Sequence, residues 1–312
     1  MVKNILVIGG SYFVGRVFVE EILKEPEYSI YVMNRGNIPM RSKEVHEIRA
    51  DRRDADSMKR NLPDLKWHAV VDFCAYTPRD IETTLLVLPK NRVGHYVYVS
   101  TATVYDKTNV FPIKEESPKL KNPQPELGPA AEYGYNKWLA EIALEKHCNA
   151  EGIPCTSIRP AFIYGKYNYV PRESYFFNLL IKKEPIVLPE NRLALFSFVS
   201  VWDIAHILMG CINNRKVYGR AFNVAGGELI SYDRLVETLE LVTGRRPDIK
   251  RISIEEINRK RIPLPFPLDE HLIYSGELIS RILRFEYTPF LEGMRESFRY
   301  YLLGRGVSIP GD

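Results

Sequence analysis

The sequence predicts an α/β protein, a doubly wound parallel sheet followed by a smaller C-terminal lobe. Three observations predict it. Short apolar runs recur at 4–8, 30–33, 45–49, 69–73 and 96–100, with helical patterns such as 14–24 and 80–88 between several of them. Buried strands separated by helices make a parallel sheet covered on both faces. The length, 312 residues, suits one large α/β domain and a smaller one. The texture then changes after residue 165: proline and aromatic residues cluster at 166–190 and in RIPLPFPLDEH, 261–271. Strand-like runs at 155–159 and 220–224 keep the earlier character. The expected division is 1–165 for the sheet domain, with segments near 196–225 returning to it, and 166–312 mostly for the lobe.

Composition narrows the function classes. Hydrophobic residues are 45% and charged residues 26%, a globular profile. A formal net charge of +4 is mild for this length and does not call for nucleic acid. No apolar run reaches the length of a membrane span. The first apolar run is broken by Gly9-Gly10, unlike the h-region of a signal peptide. Cys74, Cys148, Cys155 and Cys211 show no C-x-x-C spacing, so a zinc or disulfide framework is not expected and a reducing cytoplasm is the default setting. The six histidines are scattered without H-E-x-x-H spacing, and no catalytic metal is expected.

The first element, NILVIGGSYFVGRVFVEEIL at 4–23, runs from an apolar strand through a glycine turn into a helix. Backbone N–H groups and the helix dipole at such a turn suit a pyrophosphate. Gly9, Ser11, Tyr12, Phe13, Val14 and Gly15 are the candidate contacts. Gly9 to Gly15 fits G-x-x-G-x-x-G, except that Tyr12 stands where the middle glycine belongs. Its side chain must then turn outward, or the phosphates must sit differently. A tight turn with no ligand is the plain alternative.

The second strand ends YVMNRGN. Folds that prefer NAD place Asp or Glu here for the ribose 2′-OH. Asn34 and Arg35 stand here instead, so nothing repels a 2′-phosphate and a guanidinium is available to hold one. NADP(H) is therefore the favoured cofactor, with NAD(H) possible; a solvated loop arginine is the alternative. After the third strand, ADRRD at 50–54 places Asp51 to reach an adenine amino group, with Arg52 beside it. After the fourth, DFCAY at 72–76 offers Phe73 and the small Cys74 and Ala75 beside a cofactor, or merely as strand-end packing.

The stretch AEYGYNKWLAE, 131–141, holds two tyrosines and a lysine. Residues four apart share a helix face and residues two apart do not. Tyr133 and Lys137 therefore point at one ligand, and Tyr135 points elsewhere. The stretch at 244–261 is rich in charge of both signs and suits a solvated helix face better than a phosphate site. NYVPRESYFF, 168–177, mixes Arg172 with aromatic residues, suited either to a nucleotide diphosphate or to packing.

The fifth strand ends YVYVSTATVY, 96–105. With the glycine turn, YGYNKWLAE, SIRPAFIYG (157–165), FVSVWDIA (198–205) and AFNVAGG (221–227), the chain resembles the extended short-chain dehydrogenase/reductase family. The likeness is strongest to its nucleotide-sugar epimerases and reductases and covers nearly the whole length. It implies a Rossmann sheet with a substrate-binding C-terminal lobe. It also implies a catalytic trio of Thr101, Tyr133 and Lys137. The lysine would hold the nicotinamide ribose and lower the tyrosine pKa. Ser100, Pro160 and Phe162 join the implied cofactor contacts, and Tyr76, Thr103, Arg172 and Arg192 the substrate contacts. Dehydratases of the family carry Asp-Glu after the threonine; here Ala102 and Thr103 stand there, and neither serves as acid or base. Hydride transfer at one sugar carbon, C4, of a UDP- or dTDP-linked sugar is the expected chemistry. A 4-ketoreductase is favoured and a 4-epimerase is the alternative. A cofactor-sensing or RNA-binding protein is the alternative of another class. A homodimer through the helices after strands four and five is expected, and no membrane partner.

Overall fold

The computed structural model describes residues 2–88 and 90–306. The first half of the chain runs β1 (Lys3–Ile8), α1 (Phe13–Ile22), β2 (Tyr28–Asn34), β3 (Val45–Arg49), α2 (Ala55–Asn61), β4 (Ala69–Asp72), α3 (Pro78–Val87), β5 (Tyr96–Val99), α4 (Tyr133–Glu151) and β6 (Cys155–Pro160). The second half runs β7 (Phe162–Tyr164), α5 (Glu173–Lys182), β8 (Ile186–Pro189), β9 (Phe196–Ser200), α6 (Val201–Cys211), β10 (Arg220–Val224), β11 (Leu229–Ile230), α7 (Tyr232–Thr243), β12 (Ile249–Ile252), α8 (Ile254–Lys260), α9 (Glu277–Leu283) and α10 (Phe290–Leu303).

Seven parallel strands form the main sheet in the order β10-β6-β5-β4-β1-β2-β3. Strand side chains alternate between faces. Ile5 and Val7 face the core shared with Phe18 of α1 and Ile204 of α6. Leu6 and Ile8 face the opposite core, with Tyr96, Tyr98, Ala140 and Leu144. Both faces are thus buried, as a parallel sheet requires. The strand order reverses between β1 and β4, and in such sheets a ligand crevice opens there beyond the carboxyl ends.

The lobe holds a three-stranded sheet, β11-β9-β7, and a pair, β12-β8. Its core is aromatic, built from Tyr164, Phe176, Phe177, Phe196, Phe198, Phe266 and Phe290. The stretch at 244–261 is not one helix. Its apolar Ile249 and Ile252 lie on β12, paired with β8, and the helix begins only after Ser253 caps Glu256 N–H. Segment ends are set locally. Thr77 and Asp80 form a reciprocal capping box at the start of α3, with Pro78 in the first turn.

Candidate active site

A cavity of about 550 Å³ opens beyond the carboxyl ends of β1, β2, β4 and β5. The β1–α1 turn supplies Gly9, Ser11, Tyr12, Phe13, Val14 and Gly15 to its wall. A Cβ on Gly15 would lie 2.6 Å from the Gly9 carbonyl oxygen, so only glycine lets the helix start this close to the turn. Tyr12 is the N-cap residue but its side chain caps nothing. Its ring is turned outward, 48% exposed and 4.8 Å from the ring of Tyr169. The first N–H groups of α1 keep no side-chain partner at the cap, the arrangement that accepts an anion.

At the end of β2, Asn34 and Arg35 both line the cavity. The Asn34 side-chain oxygen accepts from Gly36 N–H at 2.6 Å, while its Nδ2 is buried with no acceptor. A buried donor without a partner calls for one from a ligand. Arg35 is exposed and makes no ion pair among the described residues. The orphaned amide, the close glycine turn and the switch-point crevice together fit a dinucleotide.

Asp51, Arg52, Phe73 and Cys74 also line the cavity. Arg52 is also anchored in the fold. Its guanidinium is buried and donates to Asp72 Oδ1 at 2.6 Å, the Asp80 carbonyl at 2.7 Å and Thr84 Oγ1 at 3.0 Å. Burial alone would raise the Asp72 carboxyl, and Arg52 outweighs it, holding the group below the ordinary carboxylate range. Its two terminal nitrogens are tied to the fold, while the buried Nε keeps no hydrogen-bond partner.

Tyr133 and Lys137 stand one helical turn apart at the start of α4, both on the cavity wall, whereas Tyr135 is not. Gly134 allows this approach: a Cβ there would collide with the Thr103 carbonyl oxygen. Lys137 is 2% exposed. Its ammonium donates to the Val99 carbonyl at 2.6 Å and the Ala75 carbonyl at 2.9 Å, and lies 4.4 Å from the Tyr98 ring centre. Burial lowers its pKa to about 8. The expectation that Lys137 lowers the Tyr133 pKa is not met. The phenol is raised by burial, then pulled back by the Thr101 hydroxyl and the Arg172 guanidinium. The lysine charge is turned toward the two carbonyls.

Thr101 is at the cap of a 3-10 turn, Ala102–Val104, where its hydroxyl accepts from Thr103 N–H and meets Thr103 Oγ1 at 3.0 Å. Thr101 and Thr103 do not line the cavity themselves, but the Thr101 hydroxyl bonds the phenol of Tyr133, which does. Four further expected contacts are not on the cavity wall. Ala75 is fully buried and serves through its carbonyl. Pro160 is buried at the end of β6, paired with β10. Phe162 packs on Phe266, ring centres 5.2 Å apart, and its neighbour Ile163 lines the cavity in its place. Arg192 sits in an exposed loop with its Nε 3.6 Å from Asp233. Tyr76, Ser100 and Arg172 line the cavity. The Tyr76 ring is 6.4 Å from that of Tyr133, and burial raises its phenol to about 12.

Sequence reasoning missed Tyr169, Val170, Ile163, Asn37, Ile38 and Arg53 on the wall. It also missed a buried network behind it. Ser100 Oγ donates to Glu141, Arg159 forms a bidentate pair with Glu141 at 2.6 and 3.1 Å, and Arg159 donates to Tyr105 Oη at 2.8 Å. A signal was present: Tyr133, Lys137 and Glu141 recur at a spacing of four, on one helix face.

A seven-stranded parallel sheet with a glycine turn at its switch point and a smaller lobe defines a Rossmann-type dinucleotide-binding protein. The chain belongs to the NAD dependent epimerase/dehydratase family, which it matches over residues 5–225. It is of the extended short-chain dehydrogenase/reductase type. Among curated relatives, it is 27% identical to the chloroplast stem-loop binding protein of 41 kDa b of Arabidopsis thaliana, across 98% of this chain and 80% of that one. It is 25% identical to a UDP-glucose 4-epimerase of Corynebacterium glutamicum, across 77% and 80%. Among solved structures, a UDP-N-acetylglucosamine 4-epimerase from Methanobrevibacter ruminantium superposes with a TM-score of 0.78 at 20% identity, covering 97% of this chain and 99% of that one. A UDP-glucose 4-epimerase from Thermus thermophilus, solved in complex with NAD, gives 0.76 at 19% identity, covering 98% and 100%. Among the described residues, no helix is long and apolar enough to cross a membrane.

Proposed function

We propose that the protein is an NAD(P)-dependent oxidoreductase acting at one sugar carbon of a nucleotide sugar, with 4-ketoreductase the first reading and 4-epimerase the second. The observation that carries it is the placing of Tyr133 and Lys137 on the wall of the cavity that also holds the glycine turn. A bound nicotinamide supplies the hydride donor or acceptor. Gly9 to Gly15 would hold its pyrophosphate, Asn34 and Arg35 the adenosine ribose, and Lys137 the nicotinamide ribose. Thr101 orients the reacting oxygen by way of Tyr133. Tyr133 moves the proton at that oxygen. The Tyr133 phenol is protonated across neutral pH, as proton donation in a reductase and in the return step of an epimerase both require. Arg35 without an ion pair supports NADP(H) over NAD(H). Ala102 and Thr103, where a dehydratase needs an acid and a base, argue against water elimination.

The test is turnover. The protein with NADPH is offered UDP- and dTDP-linked 4-keto sugars, and separately UDP-glucose with NAD. Consumption of NADPH with a 4-hydroxy product supports the reductase. Conversion of UDP-glucose without net cofactor consumption returns the epimerase to first place.

A second class of activity has one specific support, the relative described as a stem-loop binding protein, matched across nearly all of this chain. RNA binding would be steep in salt, because phosphate contacts release counterions. A gel-shift assay at two salt concentrations beside the turnover assay separates the two: tight, salt-steep binding with no sugar turnover favours RNA.

A further inference from the structure

Two oddities meet at one place. Tyr12 occupies the position of the middle glycine, and the lobe segment at 165–172 lies against it. Tyr12 and Tyr169 pair at 4.8 Å, and Phe13 meets Tyr169 edge-on at 6.0 Å. Both tyrosines line the cavity, yet they are 48% and 60% exposed. Paired rings this open keep much of their surface uncovered at the mouth of the cavity. Phe13 holds φ +37°, a conformation rarely tolerated by a bulky side chain.

The segment is fastened at both ends. On the α1 side, Glu20 accepts from Lys166 Nζ and from Tyr167 Oη, each at 2.7 Å. The Arg16 guanidinium stacks 4.4 Å from the Tyr167 ring centre. On the lobe side, the buried Glu173 carboxylate accepts from Gly165 N–H at 2.9 Å and from Asn168 Nδ2 at 2.9 Å. The loop is thereby closed on itself. It bridges the helix whose N-terminus faces the cavity and the lobe that forms the opposite wall.

We propose that residues 165–172 form a strap over the dinucleotide site, and that Tyr12 is its landing point. Tyr12 and Tyr169 are then positioning residues for the cofactor: they close over it beside the glycine turn, and it leaves only when the strap lifts from α1. A side chain replaces the middle glycine because the strap needs a ring to land on. The inference rests on the dinucleotide reading above and adds a kinetic property to it. Binding is governed by departure, and in a reductase the lifting of the strap becomes a step of every turnover.

The experiment is stopped-flow displacement of NADPH, and in parallel NADH, followed by cofactor fluorescence, in the wild type and in Tyr12→Gly, Tyr169→Ala and Glu20→Gln. Glu20 lies outside the cavity wall and fastens the strap from behind. Tyr12→Gly and Tyr169→Ala are expected to speed release by about three- to tenfold, the worth of one aromatic pair, and Glu20→Gln by about two- to threefold, with association little changed in all three. Trypsin gives a second reading in the same proteins: cleavage after Lys166 or Arg172 is expected to quicken in the variants and to slow when NADPH is bound. A merely structural contact would lower the melting temperature while leaving release and cofactor-dependent protection unchanged, and that result overturns the strap. A wild type that binds neither dinucleotide overturns the dinucleotide reading, and the strap with it. A wild type that binds one of them, with release unaltered in Tyr169→Ala and Glu20→Gln, overturns the strap alone.

Discussion

The two walls of the cavity are built by different physics. On the sheet wall, away from Asn34 and the exposed Arg35 at the end of β2, several charged groups are buried and held by the fold. Arg52 is held by Asp72 and Thr84, Arg159 and Ser100 by Glu141, and Lys137 by two carbonyls that take two of its three N–H donors. On the lobe wall, Tyr169 is more than half exposed, and Arg172 lines the cavity with a 2.8 Å bond to the Ile163 carbonyl and no ion pair among the described residues. Buried charges couple strongly to the fold, whereas exposed rings and unpaired cations have affinity to offer a ligand. A change on the sheet wall is therefore felt in stability and chemistry together, and a change on the lobe wall chiefly in binding.

Four substitutions break or sharpen that contrast. Tyr133→Phe removes one hydroxyl and is expected to lower turnover by roughly a hundred- to ten-thousandfold. Cofactor affinity, read by fluorescence titration, should stay close to wild type. Tyr135→Phe, off the wall, should keep most activity; the reverse pattern would undo the helix-face assignment.

Arg159→Leu strands the buried Glu141 carboxylate. A loss of about 3–5 kcal/mol is expected in urea unfolding, with the matching Arg172→Leu on the lobe costing about 1 kcal/mol or less. Equal losses would erase the distinction between the walls.

Lys137→Met addresses pH. The folded lysine titrates near 8 and the unfolded one near 10.5. The unfolded chain binds more protons between those values, so wild-type stability rises as pH climbs from about 8 to 10.5 and is lowest below 8. The swing is on the order of 3 kcal/mol, and Lys137→Met should flatten it in melts taken across that window. An unchanged slope would mean the ammonium is better solvated than its burial implies.

Arg35→Ala is the smallest of the four. It should weaken NADPH by roughly one to two decades and barely alter NADH. Equal weakening of both would make Arg35 an adenine platform rather than a phosphate clamp.

The sheet wall was the legible one. Glycine spacing, alternation of strand and helix, and the four-residue step from Tyr133 to Lys137 are local patterns, each fixed by a few neighbouring residues. The structural ties of Arg52 were not legible because its partners, Asp72, Asp80 and Thr84, lie 20 to 32 residues away in sequence. Pro160 and Phe162 were assigned one face too generously: the chain turns into the lobe there, and alternate side chains then face opposite ways. Tyr169 carried no local signal, since only the return of the loop onto α1 brings it beside Tyr12. The charged stretch at 244–261 hid a strand because its apolar residues are few and their partner, β8, is some sixty residues earlier.

The edge position of β10 matters to how the molecule is made. The sheet is finished only when residues 220–224 dock on β6, and α6, which covers α1, is likewise supplied from beyond residue 200. Until then the emerging chain presents the open edge of β6 and the bare side of α1. About sixty residues separate β6 from β10, roughly 3 to 13 s of synthesis at ordinary rates. Through that interval the nascent chain offers an unpaired strand edge of the kind that recruits chaperones or strays into aggregates. A fragment ending near residue 165 would carry that open edge permanently.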